Sequence, residues 1–157
     1  MKNNLQIRKA SLSDVDLLFR WTNDELVRAQ SFSSTVIPYA DHCTWFQRKV
    51  EDENSFFFII EQEDREVGLV RFDINDGAAT IGVSVDKEFR GKGLGAEIIN
   101  LGVLSYFKEN DFPILASIKK VNMASVKSFK KAGFQYFKDE LLGGVDSVVY
   151  QLKKNHE

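Results

Sequence analysis

The sequence predicts a mixed α/β (α+β) domain with the element order βααβββαβαββ. Three observations carry that expectation. Three strand-like runs follow one another in the first half, separated by short polar turns, as in an antiparallel meander. Helix-like and strand-like segments then alternate, as parallel crossovers require. Between them lies Arg90-Gly91-Lys92-Gly93-Leu94-Gly95, a glycine-rich turn that leaves a strand and enters a helix. At 157 residues the chain is long enough for one domain, residues 1–157, with a sizeable core.

Residues 5–9 read as the first strand. Ser13 stands as N-cap of the next helix, with Asp16 three residues on. Val15, Leu18, Phe19 and Trp21 supply its apolar side. Residues 22–38 read as irregular, with a serine-rich run at 31–34 and Pro38 at the end. A second helix places His42, Trp45, Phe46 and Lys49 on one face, at i, i+3, i+4 and i+7. Strands follow at 56–62, 66–74 and 78–85, with polar turns around Glu63-Asp64-Arg65 and Asn75-Asp76-Gly77. In the third, Thr80-Ile81-Gly82-Val83-Ser84-Val85 alternates apolar and small residues with period two. Leu94, Ile98, Leu101 and Leu104 then recur at helical spacing, up to about residue 108. Residues 113–118 read as a strand, and Asn122 as N-cap of a helix that Gly133 terminates. Strands at 134–138 and 145–152 close the chain.

Composition excludes several function classes. A formal charge of −2 gives no basis for nucleic-acid binding. Positive charge is local: Arg90 and Lys92, then Lys119 and Lys120, then Lys127, Lys130 and Lys131, the last three on a solvated helix face. The single cysteine, Cys43, permits no intramolecular disulfide. Its neighbour His42 projects about 100° away on a helix, so the two form no preassembled dyad, and Cys43 reads as packing. Residues 1–6 are polar apart from Leu5, and no apolar run is long enough to span a bilayer. The expected location is therefore the cytoplasm, with no membrane partner. No residue is assigned to a metal.

The glycine turn carries the clearest chemistry. Three glycines at alternate positions let the backbone turn sharply and bring its N–H groups close to a ligand. The following helix directs its positive end into the same turn. Arg90 and Lys92 add full charges, and together these features suit a diphosphate. A Walker A loop would need a hydroxyl where Leu94 stands. The Gly-x-Gly-x-Gly spacing also departs from the dinucleotide-binding Gly-x-Gly-x-x-Gly.

The turn resembles the Arg/Gln-x-x-Gly-x-Gly/Ala loop of the GNAT N-acetyltransferases. A second segment, residues 114–118, Asn122 and Lys131-Ala132-Gly133-Phe134, is similar to that family's Asn-x-x-Ala/Ser…Tyr-x-x-x-Gly-Phe element. The resemblance covers essentially the whole chain. It implies a central mixed sheet flanked by helices, with splayed fourth and fifth strands, and acetyl-CoA as cosubstrate. Arg90, Gly91, Lys92, Gly93, Leu94 and Gly95 would hold the pyrophosphate. Val83, Ser84 and Val85 would offer backbone groups to the pantetheine, and Asn122 would bond it or cap its own helix. Phe129 would lie beside the cofactor, where the family often has a tyrosine that protonates the departing thiolate.

A narrower resemblance runs through Trp21-Thr22-Asn23-Asp24, Arg28, Ser31, His42, Trp45-Phe46 and Val67-Gly68-Leu69-Val70-Arg71-Phe72-Asp73. It is to the acetyltransferases of nonulosonic-acid pathways, which act on the 4-amino group of a UDP-linked deoxy-amino-sugar on the way to pseudaminic acid. Thr22 replaces the arginine of their usual Trp-Arg-Asn. Expected acceptor contacts are Asn23, Arg28, His42, Trp45, Arg71 and Asp73, and the candidates for base are His42, Asp73, Ser84 or a water chain. Blander roles stand beside each of these. His42 and Trp45 suit packing, Arg71 and Asp73 can pair with each other, and Arg28 can pair with Asp24 or Glu25. Two other readings use the same cosubstrate: a peptide α-amine acetyltransferase and a non-catalytic acyl-CoA-binding module. A monomer or a homodimer is expected.

Overall fold

Phe56-Phe57-Phe58-Ile59-Ile60 is apolar at every position, and a strand buries such a run only with cover on both faces. The computed structural model, which describes residues 4–32 and 35–155, supplies that cover. Its seven-stranded sheet contains β1 (Gln6–Lys9), β2 (Ser55–Gln62), β3 (Arg65–Asn75), β4 (Ala78–Val85), β5 (Ile114–Lys119), β6 (Gln135–Leu142) and β7 (Val145–Leu152). The spatial order is β1-β2-β3-β4-β5-β7-β6, and every pairing is antiparallel except β4 with β5.

Helices α1 (Val15–Thr22), α2 (Glu25–Gln30) and α3 (Tyr39–Glu51) precede the meander, while α4 (Gly95–Glu109) and α5 (Met123–Lys131) follow it. Phe58, Ile60, Val70 and Phe72 pack with Ile98, Val103 and Tyr106 of α4 in the larger core. Phe57, Ile59 and Leu69 point the other way, into a smaller core with Leu18, Trp21 and Phe46. The alternation along β2 thus divides one apolar run between two cores.

The strands fall where the sequence places them, to within a few residues at their ends. Two local expectations are corrected. The first turn is held by Ser11 and Asp14 rather than Ser13 and Asp16. A 3-10 turn, Leu12–Asp14, precedes α1, and the Asp14 carboxylate accepts from Ser11 N at 2.8 Å and from both terminal nitrogens of Arg8 at 2.8 Å. The stretch 22–38 is not wholly irregular, because Asp24 caps α2 by accepting from Leu26 N and Val27 N. That helix buries no residue, so no apolar periodicity announces it. Ser33 and Ser34 of the serine-rich run lie outside the described residues. Of the helically spaced residues of α4, Leu104 is 63% exposed, while Leu94 and Ile98 are buried.

Candidate functional site

β4 and β5 share only two paired positions, Ala79 with Ile114 and Thr80 with Leu115. Past Thr80 the parallel strands separate. β4 remains paired with β3 as far as Val85 opposite Gly68, so only its β5-facing edge is opened. Residues 81–85 line one wall of a cleft of about 690 Å³, with Ala116, Ser117, Ile118 and Lys119 of β5 across from them. Val83, Ser84 and Val85 are all half-buried there.

The glycine turn closes one end of this cleft. Asp86 caps a 3-10 turn, Lys87–Phe89, by accepting from Glu88 N. Gly91 and Gly93 then take φ of +74° and +73°, in the left-handed region that favours glycine. Leu94 is the N-cap residue of the fifteen-residue α4, so the positive end of that helix points into the cleft. A Cβ on Gly95 would lie 2.6 Å from Ser128 Oγ, which is how closely α4 approaches α5.

The two basic residues of the turn behave differently from expectation. Arg90 faces inward: its Nε donates to the Val85 carbonyl at 2.9 Å and its Nη2 to Asp24 Oδ1 at 2.7 Å. Burial acts to raise the Asp24 pKa, but Arg90 and the Val27 and Leu26 amides carry it below its ordinary value. Lys92 does not line the cleft, and its ammonium lies 5.3 Å from the Phe89 ring centre. What the turn offers an anion is therefore chiefly its backbone N–H groups.

From α5, Asn122, Ser125, Ser128 and Phe129 line the cleft. Asn122 Oδ1 accepts from Ser125 N at 3.3 Å, so its capping role is realised. Phe129 is buried, with its ring edge-on to Phe134 at 5.0 Å between centres. It has no hydroxyl to present to the cleft.

A further wall of the cleft is formed by α2 and the residues that follow it. Arg28 Nη1 donates to the Thr35 carbonyl at 3.1 Å and Nη2 to Ser31 Oγ at 3.2 Å. The sequence pairs Arg28 with Asp24 or Glu25, whereas Asp24 holds Arg90. Lys119 Nζ reaches from β5 to the Ala29 carbonyl at 2.9 Å. Arg71 and Gly82, opposite one another on β3 and β4, complete this wall.

Besides Lys92, four sequence candidates lie outside the lining. His42 is 1% exposed, beneath α1, stacked on Phe46 and against Phe19 and Trp45. Its Nε2 lies 3.0 Å from the Val15 carbonyl, which can only accept, so Nε2 carries the proton. Nδ1 is buried and finds no partner among the described residues. Burial lowers the His42 pKa against the opposing effects of Val15 and Asp16. A ring sealed in this way cannot reach a substrate amine. Asp73 pairs with Lys49 at 2.7 Å and accepts from Ser55 Oγ at 2.8 Å, rather than pairing with Arg71. Asn23 commits both ends of its carboxamide to Ile37, each at 2.9 Å, pinning the chain after α2. Trp45 touches the site only indirectly, through the Arg71 guanidinium 5.3 Å from its ring centre.

Sequence reading missed Asp86, Thr22 and Gly82. Asp86 is buried and accepts from Trp21 Nε1 at 2.8 Å, tying α1 to the start of the glycine turn. Burial pushes its pKa up, but Trp21, the Glu88 amide, Arg20 and Arg90 bring it below the usual value. The signal was present: a core tryptophan needs an acceptor for its N–H, and an Asp ahead of a short turn is a good N-cap.

The described lining carries four cationic side chains, Arg28, Arg71, Arg90 and Lys119, and no carboxylate, histidine, cysteine or tyrosine. Chemically, the cleft can hold an anion at the glycine turn and bind an extended chain along an open strand edge. It can polarise a carbonyl through backbone N–H groups.

The sequence model described as "Acetyltransferase (GNAT) domain" matches residues 4–135. No curated protein matches in sequence. Among solved structures, a spermidine N-acetyltransferase from Vibrio cholerae, in complex with CoA and spermine, aligns with TM-score 0.87 at 17% identity over 97% of this chain and 96% of its own. An aminoglycoside acetyltransferase in complex with coenzyme A gives 0.81 at 16% identity, covering 96% and 95%. An uncharacterized protein from Bacillus halodurans gives 0.80 at 20% identity, covering 95% and 83%.

Proposed function

The chain belongs to the GNAT acetyltransferase family and is an acetyl-CoA-dependent N-acetyltransferase, and from that premise we propose that its acceptor is the 4-amino group of a UDP-linked deoxy-amino-sugar. The observation that carries this reading is the wall of the cleft formed by α2. A peptide acceptor calls for an open groove, whereas α2 is tied over the cleft at its start by Arg90 of the glycine turn with Asp24 and at its end by Lys119 of β5 with Ala29. Arg28 stands in that wall, and a guanidinium suits a phosphate.

In the proposed reaction, the pyrophosphate of acetyl-CoA sits on the backbone of residues 90–95 and the N-terminus of α4. The pantetheine runs along the open edge of β4, and an N–H among residues 83–85 polarises the acetyl oxygen. The neutral amine attacks the thioester carbon, the C–N bond forms, and the C–S bond breaks as the CoA thiolate leaves. With Phe129 in place of a phenol, the thiolate takes its proton from water. That is tolerable for a thiol of pKa about 8.5. His42 is buried, and Asp73 is held by Lys49 and Ser55 outside the lining of the cleft, so in this reading the ammonium proton leaves through water ordered by the Ser84 hydroxyl.

We place the reaction in the cytoplasm and take residues 1–157 as one acetyltransferase unit. Among the described residues, no helix is long and apolar enough to cross a membrane. The test is release of free CoA with UDP-4-amino-deoxy-sugars set against a peptide panel. Turnover of the sugar nucleotides is expected. Robust turnover of peptides with none of the sugars would move the acceptor to a protein α-amine. Acetyl-CoA binding with no turnover on any amine would leave an acyl-CoA-binding module.

A further inference from the structure

The four cations of the cleft are not equivalent. Arg90 is paired with Asp24, Lys119 donates to the Ala29 carbonyl, and Arg28 donates to Ser31 and Thr35. Arg71 differs: among the described residues no carboxylate lies within ion-pair distance of its guanidinium. Asp73, two residues along the same strand face, is held by Lys49 and Ser55 instead.

Arg71 is nevertheless firmly seated. Its guanidinium carbon lies 5.3 Å from the Trp45 ring centre and 5.6 Å from that of Phe57. Its aliphatic stem and Nε cross β4 at Gly82, where an added Cβ would lie 3.2 Å from both Cγ and Nε. The missing side chain at Gly82 is therefore the space that the arginine occupies. Burial pulls the Arg71 pKa below the ordinary guanidinium value. Asp73 opposes this, and the nearby Arg28 charge adds to it. A guanidinium stays charged even so. A second cation close by, aromatic walls and no carboxylate make an unmet demand for negative charge. A planar fork meets that demand best with two oxygens of one anion.

We propose that Arg71, laid across Gly82 and held against Trp45 and Phe57, selects the acceptor by binding an oxyanion on the amine-bearing substrate, phosphoryl or carboxylate, and by repelling polyamines. This rests on the acetyltransferase reading and deepens it. The spermidine acetyltransferase shares the fold, but a polyamine here would bring several ammonium groups against Arg28 and Arg71 with no carboxylate in the described lining to receive them. An acceptor with one amine and a neighbouring oxyanion meets the opposite situation.

The experiment titrates the full chain, saturated with CoA, with three probes: uridine diphosphate for phosphoryl, glucuronate for carboxylate and spermidine for polyamine. One of the two anions should bind and spermidine should not. Which anion binds identifies the source of the negative charge. Arg71→Gln should weaken that anion about tenfold to a hundredfold, the range of a lost charge-assisted contact. Gly82→Ala should weaken it in the same direction by displacing the arginine, and Arg71→Lys should recover part of the loss. Acetyl-CoA affinity should be unchanged in Arg71→Gln and Arg71→Lys, which separates this effect from misfolding. Equal anion affinity in wild type and Arg71→Gln overturns the proposal. So does spermidine binding as tightly as the anions, or no anion binding to the wild type. None of these outcomes touches the acetyltransferase reading, which fails separately if acetyl-CoA does not bind.

Discussion

Two walls of the cleft are built from different materials. The glycine turn and the open edge of β4 present mainly backbone: positive-φ glycines, a helix N-terminus and strand N–H groups. The wall made by α2 and β3 presents side chains: Arg28, held by Ser31 and Thr35, and Arg71, seated on Trp45 and Phe57. A site made of backbone tolerates most changes of side chain and fails where a Cβ intrudes. A site made of side chains depends on which residue types stand there and on what seats them. The first suits a cosubstrate common to a family, and the second suits a specificity that differs between relatives.

Four tests break or sharpen that contrast, from the largest expected effect to the smallest. Gly93→Val should abolish detectable acetyl-CoA binding in calorimetry. A Cβ at Gly93 meets no protein atom within 4 Å, so the protein itself leaves room for the side chain. The strain of a β-branched residue at φ +73° is roughly 1–3 kcal/mol, small enough for the fold to survive. Unchanged affinity in the folded variant would show that the pyrophosphate lies elsewhere.

Phe129 tests the seam between the cleft and the larger core. Phe129→Ala should cost roughly 3–5 kcal/mol in urea unfolding, because the buried ring packs against Phe134. Phe129→Tyr is nearly isosteric and should keep turnover, or raise it if the phenol reaches the sulfur. A Phe129→Ala protein with wild-type stability and rate would contradict the placement of α5 beside the thioester.

Arg90 and Lys92 should separate sharply although they are two residues apart. Arg90→Ala removes a partly buried pair and leaves the Asp24 carboxylate without its cation, a loss of roughly 1–3 kcal/mol in stability. Lys92→Ala should stay within about 0.5 kcal/mol. Any weakening of acetyl-CoA binding by Lys92→Ala should fade with added salt. Equal effects of the two variants would mean that Arg90 serves the ligand rather than the turn.

The subtlest test concerns His42. Its folded pKa is depressed by burial, so the unfolded chain takes up a proton that the folded chain resists. The stability it contributes is complete above the ordinary histidine value of 6.5 and is lost as pH falls below it. Asp14, Asp24 and Asp86 titrate below 3.8 and do not contribute to this window. Unfolding free energies at pH 7.5 and about pH 5 should show this slope in wild type, and His42→Phe should flatten it. His156 is common to both proteins and cancels. A catalytic His42 would instead show its titration in the rate, with little effect on stability.

Much of this was legible in the sequence, and unevenly so. The meander, the glycine turn, the Asn122 cap and the Gly133 terminator are set by neighbours a few residues apart, and the structure has each of them in place. The helix α2 was not legible, because six residues without a buried face leave no periodic trace. His42 shared a helical face with Trp45 and Phe46, and that pattern read equally well as a ligand wall or as a core stripe. Only the packing of α1 over the ring separated the two.

Spacing along the chain determined the order of the elements, the positive-φ turn and the helix entering from it, since backbone geometry and hydrogen bonding there depend on local residues. Tertiary structure decided which charges are satisfied and which face the cleft. Asp24 could have paired with Arg28, but the fold delivers it Arg90 from 66 residues away. Asp73 could have paired with Arg71, but the fold delivers it Lys49. Ion pairs depend on distances in space that no local pattern encodes. Arg71 thus stands beside Gly82 with its charge open to the cleft for a reason that appears only once the chain is folded.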